Sequence, residues 1–437
     1  MRTKKDILKE TEERGIKFID LWFSDVLGCI KNISIPKKML SKAISEGVWF
    51  DGSSIEGFGR ICESDMYLMP DIDTFVPLGD GKPKSARIIC DVYSPDHSLF
   101  PDDPRYVLKR ALEIALEKGY HYNVGAELEF YLFLRDEGMA PLFYDRVGYF
   151  DLEGDLALKM RKEITQDLEA IGIDVEAGHH EVGTGQHEID LKFTDALRMA
   201  DNIITAKAVI KRVAEKHGAL ATFMPKPVFG KPGNGMHLHQ SIFVNGENAF
   251  ADRSDKYGLS ELAYNFLGGQ LAHAREICVL LAPTVNSYKR LVSGFEAPVY
   301  VCWGQMNRSA LVRVPRMSRG KLDSARLEMR CSDPTANTYL AFASLLMAGL
   351  DGVDRKLTPP PPREDNLFEL DSKSLSRIST LPRSLFEALE ELANSEIIKK
   401  TLGEGLTKKY YSIKKGEWDE YSIQVSSWEV EKYTSIY

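Results

Sequence analysis

The segment NVGAELEFYLFL, residues 123–134, combines two glutamates with a run of aromatic and aliphatic residues. This composition predicts a β-strand. Because side chains alternate between the two faces of a strand, Glu127 and Glu129 share one face, while Leu128 and Phe130 point the other way. The apolar face belongs to a protein core. The strand therefore carries two carboxylates on the face opposite the core, where they could contribute to a functional site.

Two later segments repeat this arrangement of polar residues at every second position on a strand. A single Glu-x-Glu or His-x-His pair is more often a solvated strand face than a ligand pair. Three such strands in one chain, with glycines that let backbones approach, indicate a shared site. The two segments are GMHLHQSIF (residues 235–243), with His237 and His239, and ARLEMR (residues 325–330), with Arg326, Glu328 and Arg330.

A glycine-broken segment, residues 176–188, adds the acids Glu176, Glu181 and Glu188. Charges in a protein interior are costly unless they are paired or bind a metal. A cluster of at least five glutamates with one or two histidines would repel itself without cations. Oxygen-rich sites of this kind suit Mg²⁺ or Mn²⁺ and not zinc. The sequence thus predicts a site for hard divalent cations.

Basic residues concentrate between positions 289 and 330. Guanidinium groups suit carboxylates and phosphates, although any single arginine could equally form a surface ion pair. The chain has no G-x-x-x-x-G-K-[ST] loop and no strand-linked G-x-G-x-x-G, so metals and arginines would have to hold a nucleotide. Acidic strands beside arginine-rich segments are the combination that phosphoryl transfer requires.

The length of 437 residues predicts at least two domains. Short strands (16–23, 29–35, 86–93) and helices (3–14, 36–47) indicate a small α+β domain at the N-terminus. A proline- and aspartate-rich linker follows, and we place the boundary near residue 102, with Asp103 capping the next helix and Pro104 as its first residue. Beyond it, strands (121–134, 186–193, 235–244, 324–331) alternate with helices (155–171, 195–217, 257–278, 336–351, 383–401).

The overall composition is that of an ordinary globular protein. The net charge is −8, and no basic block argues for a nucleic acid or an anionic membrane as partner. The six cysteines are scattered without a C-x-x-C pair, which favours free thiols in a reducing compartment. The charged N-terminus lacks an apolar signal core, and no apolar stretch is long enough to span a bilayer. We expect a cytoplasmic location.

Several segments resemble the glutamine synthetase family almost letter for letter, in the same order and spacing. The resemblance covers nearly the whole chain. The segments are DGSSIEGF (51–58), GAELEF (125–130), HHEVGTGQHE (179–188), GMHLHQS (235–241), NSYKRLVSGFEAP (286–298), NRSALVRVP (307–315) and RLEMRCSDPTANTYLAFASLLMAGLDG (326–352).

The resemblance to class I of this family, in its short alpha type, implies an α+β fold. Residues 1–102 would form a β-grasp domain, and residues 103–437 a catalytic domain of the glutamine synthetase and guanido kinase kind, with a curved antiparallel sheet. It also implies a homo-dodecamer of two stacked hexameric rings, with each active site between neighbouring subunits. The cofactors would be two or three Mg²⁺ or Mn²⁺ ions per site, and the substrates glutamate, ammonium and ATP.

The matching motifs also imply roles for individual residues. Glu129, Glu181 and Glu188 would bind one metal, and Glu127, His237 and Glu328 a second. Gly233, Arg290, Glu296, Arg308 and Arg330 would hold glutamate or the transferring phosphoryl group. Nucleotide contacts would come from Glu176, His239, Ser241, Arg308, Arg313 and, across a small insertion, Lys321. Asp51 of the adjacent subunit would take a proton from ammonium, so that Asp51, Glu296 and Arg308 are the expected catalytic residues.

Three positions bear on substrate placement and regulation. Pro232 stands where the family motif N-G-x-G-M-H has asparagine, which alters the expected surroundings of the substrate amino group. Phe368 stands where related enzymes are adenylylated on tyrosine, and a phenyl ring has no hydroxyl to modify. Arg60 resembles the arginine tied to feedback inhibition by glutamine, although an ordinary loop ion pair would look the same. A regulatory protein partner is compatible with this pattern.

The expected function is therefore ATP-dependent ligation of ammonia to glutamate through γ-glutamyl phosphate. One alternative is a ligase that joins glutamate to a polyamine or another amine. Asp51 and Glu296 favour ammonia, because an amine ligase would need neither. A guanidino kinase-like enzyme and a non-catalytic assembly protein are weaker alternatives, since all six candidate metal ligands are intact.

Overall fold

The computed structural model has two regions joined at the predicted linker. It describes the chain except residues 1, 54, 56–64, 80–83, 135–141, 144–147, 152–154, 293, 295–296, 318–323, 366–374 and 376. Among the described residues, every helix is too short or too polar to cross a lipid bilayer.

The N-terminal region is a six-stranded sheet with two helices. The strands run in the order β2-β1-β6-β4-β3, and β5 pairs with β6. The central β1 and β6 are parallel, and the other pairs are antiparallel. In chain order the elements are α1 (Lys4–Glu13), β1 (Phe18–Ser24), β2 (Ile30–Pro36), α2 (Leu40–Glu46), β3 (Val48–Asp51), β4 (Asp65–Pro70), β5 (Val76–Leu78) and β6 (Ser85–Tyr93).

The helix predicted over residues 36–47 is shorter in the structure. Pro36 has an extended backbone, and a turn of 3₁₀ helix, Lys37–Met39, precedes α2. Gly47 ends α2 with a φ of 74°, a left-handed conformation that glycine adopts without steric cost. Proline at the start and glycine at the end thus set the limits of this helix.

The C-terminal region surrounds a ten-stranded sheet with helices. Its elements are α3 (Pro104–Glu117), β7 (His121–Leu134), β8 (Leu142–Phe143), α4 (Asp155–Ala170), β9 (Val175–His180), β10 (Gln186–Asp195), α5 (Ala196–Lys216), β11 (Ala219–Thr222), β12 (Met236–Val244), β13 (Glu247–Asn248), α6 (Glu261–Ala272), α7 (Ala274–Leu281), α8 (Ser287–Arg290), β14 (Tyr300–Gly304), β15 (Ala310–Arg313), β16 (Leu327–Met329), α9 (Thr338–Asp354), α10 (Leu385–Ala393), α11 (Glu396–Leu402), α12 (Glu404–Ser422) and α13 (Ser427–Tyr433).

The sheet of this region runs in the order β14-β15-β16-β12-β7-β10-β9. The long strand β7 lies at its centre and also pairs with the short strands β8 and β11. All these pairs are antiparallel except β14 with β15, which are parallel. The expected antiparallel sheet is therefore present, with one parallel pair at its edge.

The apolar face of β7 packs on helices, as its alternating pattern predicts. Leu128 and Phe130 are fully buried in the main core. Helix α9 is buried on nearly every side, and α3, α5 and α6 pack against it. The Asp103 side chain accepts from the amide of Arg105 and Pro104 is the first helical residue, so the predicted helix start is confirmed.

Two predicted helices are each divided into two. Residues 257–278 form α6 and α7, separated at His273, whose ring bridges Glu276 and Asp351. Residues 383–401 form α10 and α11, because the Ser395 side chain accepts from the amide of Ile398 and caps a new helix. The apolar pattern alone suggests one continuous helix in each case. The Ser395 side chain caps the second helix of its pair, whereas His273 makes no such cap.

Strand β16 is shorter than the predicted 324–331 because its flanking residues make other contacts. Arg326 donates to the His239 ring, and the carbonyl of Ala325 accepts from Asn248. The elements that the prediction did not include are β3, β4, β5, β8, β9, β11, β13, β14, β15, α8, α12 and α13. These strands are short and rely on distant partners, so local periodicity is a weak signal for them.

Buried charges join the two regions. The Arg105 guanidinium, at the start of α3, contacts Asp71 and Asp91 of the N-terminal region and Asp201 of α5, at 2.6–3.1 Å. Arg105 is only 3% exposed. Lys109 adds a second cation beside Asp91, at 2.6 Å. The network fixes the N-terminal sheet against the C-terminal region.

Candidate active site

Strand register brings the predicted ligands onto one face of the sheet. Glu129 of β7 lies opposite Glu188 of β10, and Glu127 lies opposite Asp190 on one side and His237 of β12 on the other. Further along, His239 lies opposite Glu328 of β16, which in turn lies opposite Arg313 of β15. Paired residues in an antiparallel sheet have adjacent side chains. The three polar strands predicted from sequence therefore do form one site.

Glu127 is the centre of a carboxylate–imidazole contact. His237 Nδ1 lies 2.8 Å from Glu127 Oε2, and His239 Nε2 lies 2.7 Å from Glu127 Oε1. Burial alone would raise the pKa of Glu127, but the hydrogen bonds from the two histidines outweigh it and lower the pKa. Glu127 is therefore held as an anion.

Glu188 has the opposite environment. Burial and the nearby Glu129 and Glu127 carboxylates raise its pKa to about 12. Burial and Glu127 likewise raise the pKa of Asp190 to about 6. His179 Nε2 lies 3.0 Å from Glu188, but one imidazole does not offset the surrounding acids. This part of the site has more negative charge than the side chains around it compensate.

Glu328 is fully buried and lies between two arginines. Arg330 forms a short ion pair with its Oε1. Arg313 Nε lies 2.8 Å from its Oε2, although without the angle of a hydrogen bond, so this contact is an ion pair only. Burial opposes ionisation, but the charges of His239, Arg330 and His237 lower the pKa of Glu328.

The donor set fits divalent cations. Glu127, His237 and Glu328 each place a ligand atom within 4.8 Å of the others, and so do Glu129, Glu188 and His237. The first group has the composition of one ligand set implied by the sequence. The second shares Glu129 and Glu188 with the other implied set but contains His237 in place of Glu181. Within the described part of the chain, the buried Oδ1 of Asp190 makes no hydrogen bond. Buried oxygens around one imidazole are the chemistry of Mg²⁺ or Mn²⁺ sites.

A cavity of about 360 Å³ lies beside Glu129 and Glu181. Pro232, Gly233, Arg290 and Arg330 also line it. Arg290 is 4% exposed, and its guanidinium donates to the carbonyls of residues 330, 331 and 332. A cavity that joins a carboxylate cluster to a fixed arginine can hold a zwitterionic substrate.

An adjoining cavity of about 400 Å³ unites the acidic and basic residues. Its lining contains most of the residues for which the sequence implies a role in metal binding or phosphoryl transfer. These are Glu127, Glu129, Glu181, Glu188, His237, Arg308, Arg313 and Arg330. Arg308 lies between β14 and β15, and its carbonyl accepts from Arg330 Nε at 3.1 Å.

A further cavity of about 320 Å³ opens on the other side of Glu127. It contains the predicted nucleotide contacts Glu176, His239 and Ser241. Phe193 and Arg326 also line it, and Phe193 is 44% exposed. An exposed ring and a planar guanidinium are surfaces on which a nucleobase can stack.

Of the predicted residues that the structure describes, Asp51 is not brought together with this cluster. Asp51 is exposed at the end of β3, and the three described cavities are lined by other residues. Glu296, Lys321 and Arg60 lie outside the described residues, as does Phe368.

Sequence reasoning missed four residues of the site: His179, Gln186, Asp190 and Phe193. His179 contacts Glu188, and Gln186 contacts Glu129. The period-two pattern of β10 could have revealed Gln186 and Asp190, which alternate with apolar residues on the same face as Glu188. Phe193 gives no such signal, because an aromatic residue near a strand end is usually core.

The chain matches two family models along most of its length. Residues 15–95 match the glutamine synthetase β-grasp domain, and residues 101–433 match the glutamine synthetase catalytic domain. A glutamine synthetase of Clostridium saccharobutylicum is 48% identical over 442 residues, covering 100% of this chain and 99% of the relative. One from Staphylococcus aureus strain Mu50 is 48% identical over 443 residues, with the same coverage.

Solved structures are similar over the whole chain. A chain described as a GmaS/ADP complex superposes with a TM-score of 0.89 at 31% identity, covering 98% of this chain and 99% of that one. A Plasmodium falciparum glutamine synthetase has a TM-score of 0.89 at 24% identity, with 99% of each chain covered, which indicates a shared fold. The two matched family models, the full-length relatives and the carboxylate-rich sheet together show that this chain belongs to the glutamine synthetase family.

Proposed function

We propose that the protein joins ammonia to the γ-carboxylate of L-glutamate, with cleavage of ATP to ADP and phosphate. One observation carries the proposal: five of the six predicted metal ligands, all but Glu328, line a single cavity with the arginines Arg308, Arg313 and Arg330. That cavity can hold an anionic substrate and a transferring phosphoryl group together. The reaction supplies glutamine for biosynthesis and assimilates nitrogen.

The acidic residues have the role of holding two or three Mg²⁺ or Mn²⁺ ions. Glu129, Glu181 and Glu188 would bind one ion, and Glu127, His237 and Glu328 another. Bound cations would neutralise charge on the phosphates and on the transferring group. The raised pKa of the Glu188 carboxyl shows that the acids around it have too few positive charges to compensate them. This supports the assignment.

The γ-carboxylate of glutamate is a poor electrophile, so it must first become an acyl phosphate. We place the substrate in the cavity between Gly233 and Arg290, with its γ-carboxylate toward the acidic cluster. Arg330 and Arg308 then lie where they can stabilise charge on the phosphoryl group as it moves from ATP to the carboxylate oxygen. Ammonia displaces phosphate from the acyl carbon in the second step.

ATP would occupy the cavity lined by Glu176, His239 and Ser241, with its phosphates toward Glu127. Phe193 and Arg326 would contact the base from its two sides. Arg313, and Lys321 by its sequence match, would contact the phosphates.

Ammonium must lose a proton before it can attack, and Asp51 is the proposed base. Its exposure at the end of β3 fits a residue that acts in the site of a neighbouring subunit. Glu296 would close over the intermediate on the loop SGFEAP and exclude water.

The proposed assembly is a homo-dodecamer of two stacked hexameric rings. Exposed apolar side chains support association of copies of this chain. Trp49, within β3, is 54% exposed, and the C-terminal segment exposes Ile423 at 78% and Trp428 at 60%. Exposed apolar residues in such number are typical of an interface. Light scattering of the purified protein would measure its mass, and a monomer would contradict the assembly.

The remaining proposals concern location and control. Five described cysteines are free thiols, which suits the cytoplasm. Arg60 would take part in feedback inhibition by glutamine, with or without a regulatory protein partner, and Phe368 excludes adenylylation at its position. Neither nucleic acid nor membrane is proposed as a partner.

The alternative is a ligase for another amine. Pro232, which replaces the motif's asparagine where the substrate amino group is expected, bears on how glutamate is placed and not on the type of reaction. Phosphate release by the purified protein, with ATP, glutamate and Mg²⁺, should depend strictly on ammonium and not on putrescine or ethanolamine. Release with an organic amine alone would move the function to the alternative. No release with either Mg²⁺ or Mn²⁺ would contradict both.

A further inference from the structure

Gln186, at the start of β10, is a neutral residue buried within the acidic site. It is 1% exposed. It lies on the same strand face as Glu188, and opposite Tyr131, which follows Glu129 on the site face of β7. An amide placed among carboxylates at this depth must have its donors and acceptor satisfied.

The orientation of this amide follows from its contacts. Its Oε1 accepts from the amide of Gly183 at 3.1 Å, so its Nε2 faces the other way. Nε2 lies 3.0 Å from the Gly233 carbonyl, 3.1 Å from Glu129 Oε2 and 3.2 Å from Asn234 Oδ1. The Asn234 oxygen is an acceptor here, because its Nδ2 donates to the carbonyl of Met224 at 2.9 Å. Two protons thus serve three acceptors.

This arrangement determines which oxygen of Glu129 is left for a cation. Oε2 accepts from the Gly235 amide at 2.8 Å as well as from Gln186. Its hydrogen-bonding capacity is therefore used by two donors. Oε1 is the oxygen left for the group that Glu129 forms with Glu188 and His237. Second contacts of this kind orient ligand carboxylates.

The same amide fixes the backbone beside the substrate cavity. Gly233 has no room for a side chain, since a Cβ there would lie 2.4 Å from the Pro225 carbonyl. Tyr131 donates to the Pro232 carbonyl at 2.8 Å, and the Asn234 amide donates to Pro225 at 2.8 Å. The glycine segment is thus held on several sides. Gln186 bonds both to the Gly233 carbonyl and to Glu129, which the Gly235 amide also contacts directly.

We propose that Gln186 is a positioning residue that couples the cation bound by Glu129 to the placement of glutamate at Gly233. The inference rests on the proposed function for the roles of Glu129 and Gly233. Moving the Gln186 amide would turn the Glu129 carboxylate and loosen the Gly233 carbonyl together. Cation affinity and glutamate affinity should therefore change in parallel when this side chain is altered.

Two variants test the coupling. Gln186→Met keeps the length and volume but removes both donor and acceptor, and Gln186→Glu keeps the acceptor but cannot donate to the Gly233 carbonyl. Gln270→Met is the matched control, because Gln270 is also fully buried and hydrogen-bonded, to Gln240 and the Leu345 carbonyl, away from the site cavities. All three are compared with the wild type as purified full-length protein.

The measurements are Mn²⁺ binding by calorimetry without nucleotide, and KM and kcat in the ammonium-dependent assay. For Gln186→Met we expect the Mn²⁺ Kd and the glutamate KM each to rise about tenfold, while kcat changes less. Gln186→Glu should raise the glutamate KM similarly. Gln270→Met should lower Tm without changing either constant.

The proposal is overturned if the Mn²⁺ Kd and the glutamate KM of Gln186→Met both stay within about twofold of wild type. It is also overturned if only one of them changes, because the proposal requires that the two change together. A fall in Tm alone, as in Gln270→Met, would mean that Gln186 only fills space. If the wild type releases no phosphate, the proposed function fails. The Mn²⁺ titrations then still show whether Gln186 orients the cation ligand.

Discussion

Asp91 and Glu188 are both mostly buried carboxyl groups on sheet strands, but their pKa values shift in opposite directions. Burial would raise the pKa of Asp91, but Arg105 and Lys109 outweigh it and lower the pKa. Burial and neighbouring acids raise the pKa of Glu188 to about 12. The junction between the regions thus contains cations for its acids, and the site around Glu188 has too few. A charge cluster that compensates itself stabilises the fold, and one that does not is suited to bind cations.

The largest expected effect is at the junction. Arg105→Met leaves the buried Asp201 and the partly buried Asp71 and Asp91 without their shared cation, and should lower the free energy of unfolding by about 3–5 kcal/mol. Urea denaturation measures it. Arg355→Met, which removes an exposed ion pair with Asp351, is the control and should cost less than about 1 kcal/mol. Equal costs for the two variants would mean that the junction charges do not act as a unit.

The second largest effect is expected in the enzymatic activity when a predicted metal ligand is changed. Glu188→Gln keeps the shape but removes a predicted metal ligand, and should lower kcat/KM by about 10²–10³-fold. The Tm of the metal-free variant should not fall, because the raised pKa of Glu188 keeps its carboxyl protonated without a metal, so that one neutral group replaces another of the same shape. Glu163→Gln, which removes an ion pair with Lys216 outside the site cavities, is the control and should keep the wild-type activity. A Glu188→Gln protein that is destabilised but fully active would contradict the comparison, because Glu188 would then serve the fold and not the cation site.

Cations should stabilise the protein through the site and not through the junction. At 100 times its Kd, Mn²⁺ should raise the free energy of unfolding by about 2.7 kcal/mol relative to protein stripped with a chelator. Arg105→Met should keep this gain, and Glu188→Gln should lose most of it. Denaturation of the three proteins with and without Mn²⁺ checks the prediction, which an equal gain in all three would contradict.

The smallest effect is a pH dependence at the junction. Because the pKa of Asp91 is lowered from its ordinary value of 3.8, its ionised form stabilises the fold above that value, and this contribution is lost as the pH falls through the lowered pKa. At neutral pH, Asp91→Asn should cost about 1.5 kcal/mol. The difference from wild type should stay constant down to about pH 4 and shrink below it. A difference that widens in acid would contradict the assignment.

The sequence predicted the parts of the site that follow a local period. Glu127, His237 and Glu328 were each visible as alternating polar residues on apolar strands, and the register brings them together as expected. The roles of Glu176 and Arg290 came instead from the family resemblance. Their positions in the cavities are compatible with these roles.

The junction was not predicted at all. Arg105 appeared only as one residue of a capped helix, and its partners are 14, 34 and 96 residues away in the chain. Gln186 was missed for a similar reason. Its amide is neutral, so it did not stand out among candidate ligands, and its partners come from another strand and a loop. Pairings that form only when distant segments meet leave no periodic signal.

The central position of β7 has a consequence for how the chain avoids misfolding. A shift of one residue against β12 or β10 would exchange the two faces of β7. Glu127 and Glu129 would then enter the apolar layer between β7 and the helices α3 and α5, and Leu128 and Phe130 would face the acidic site. Each unpaired buried carboxylate costs several kcal/mol, so a slipped sheet cannot persist. The acids proposed to bind cations thus also enforce the correct strand pairing during folding.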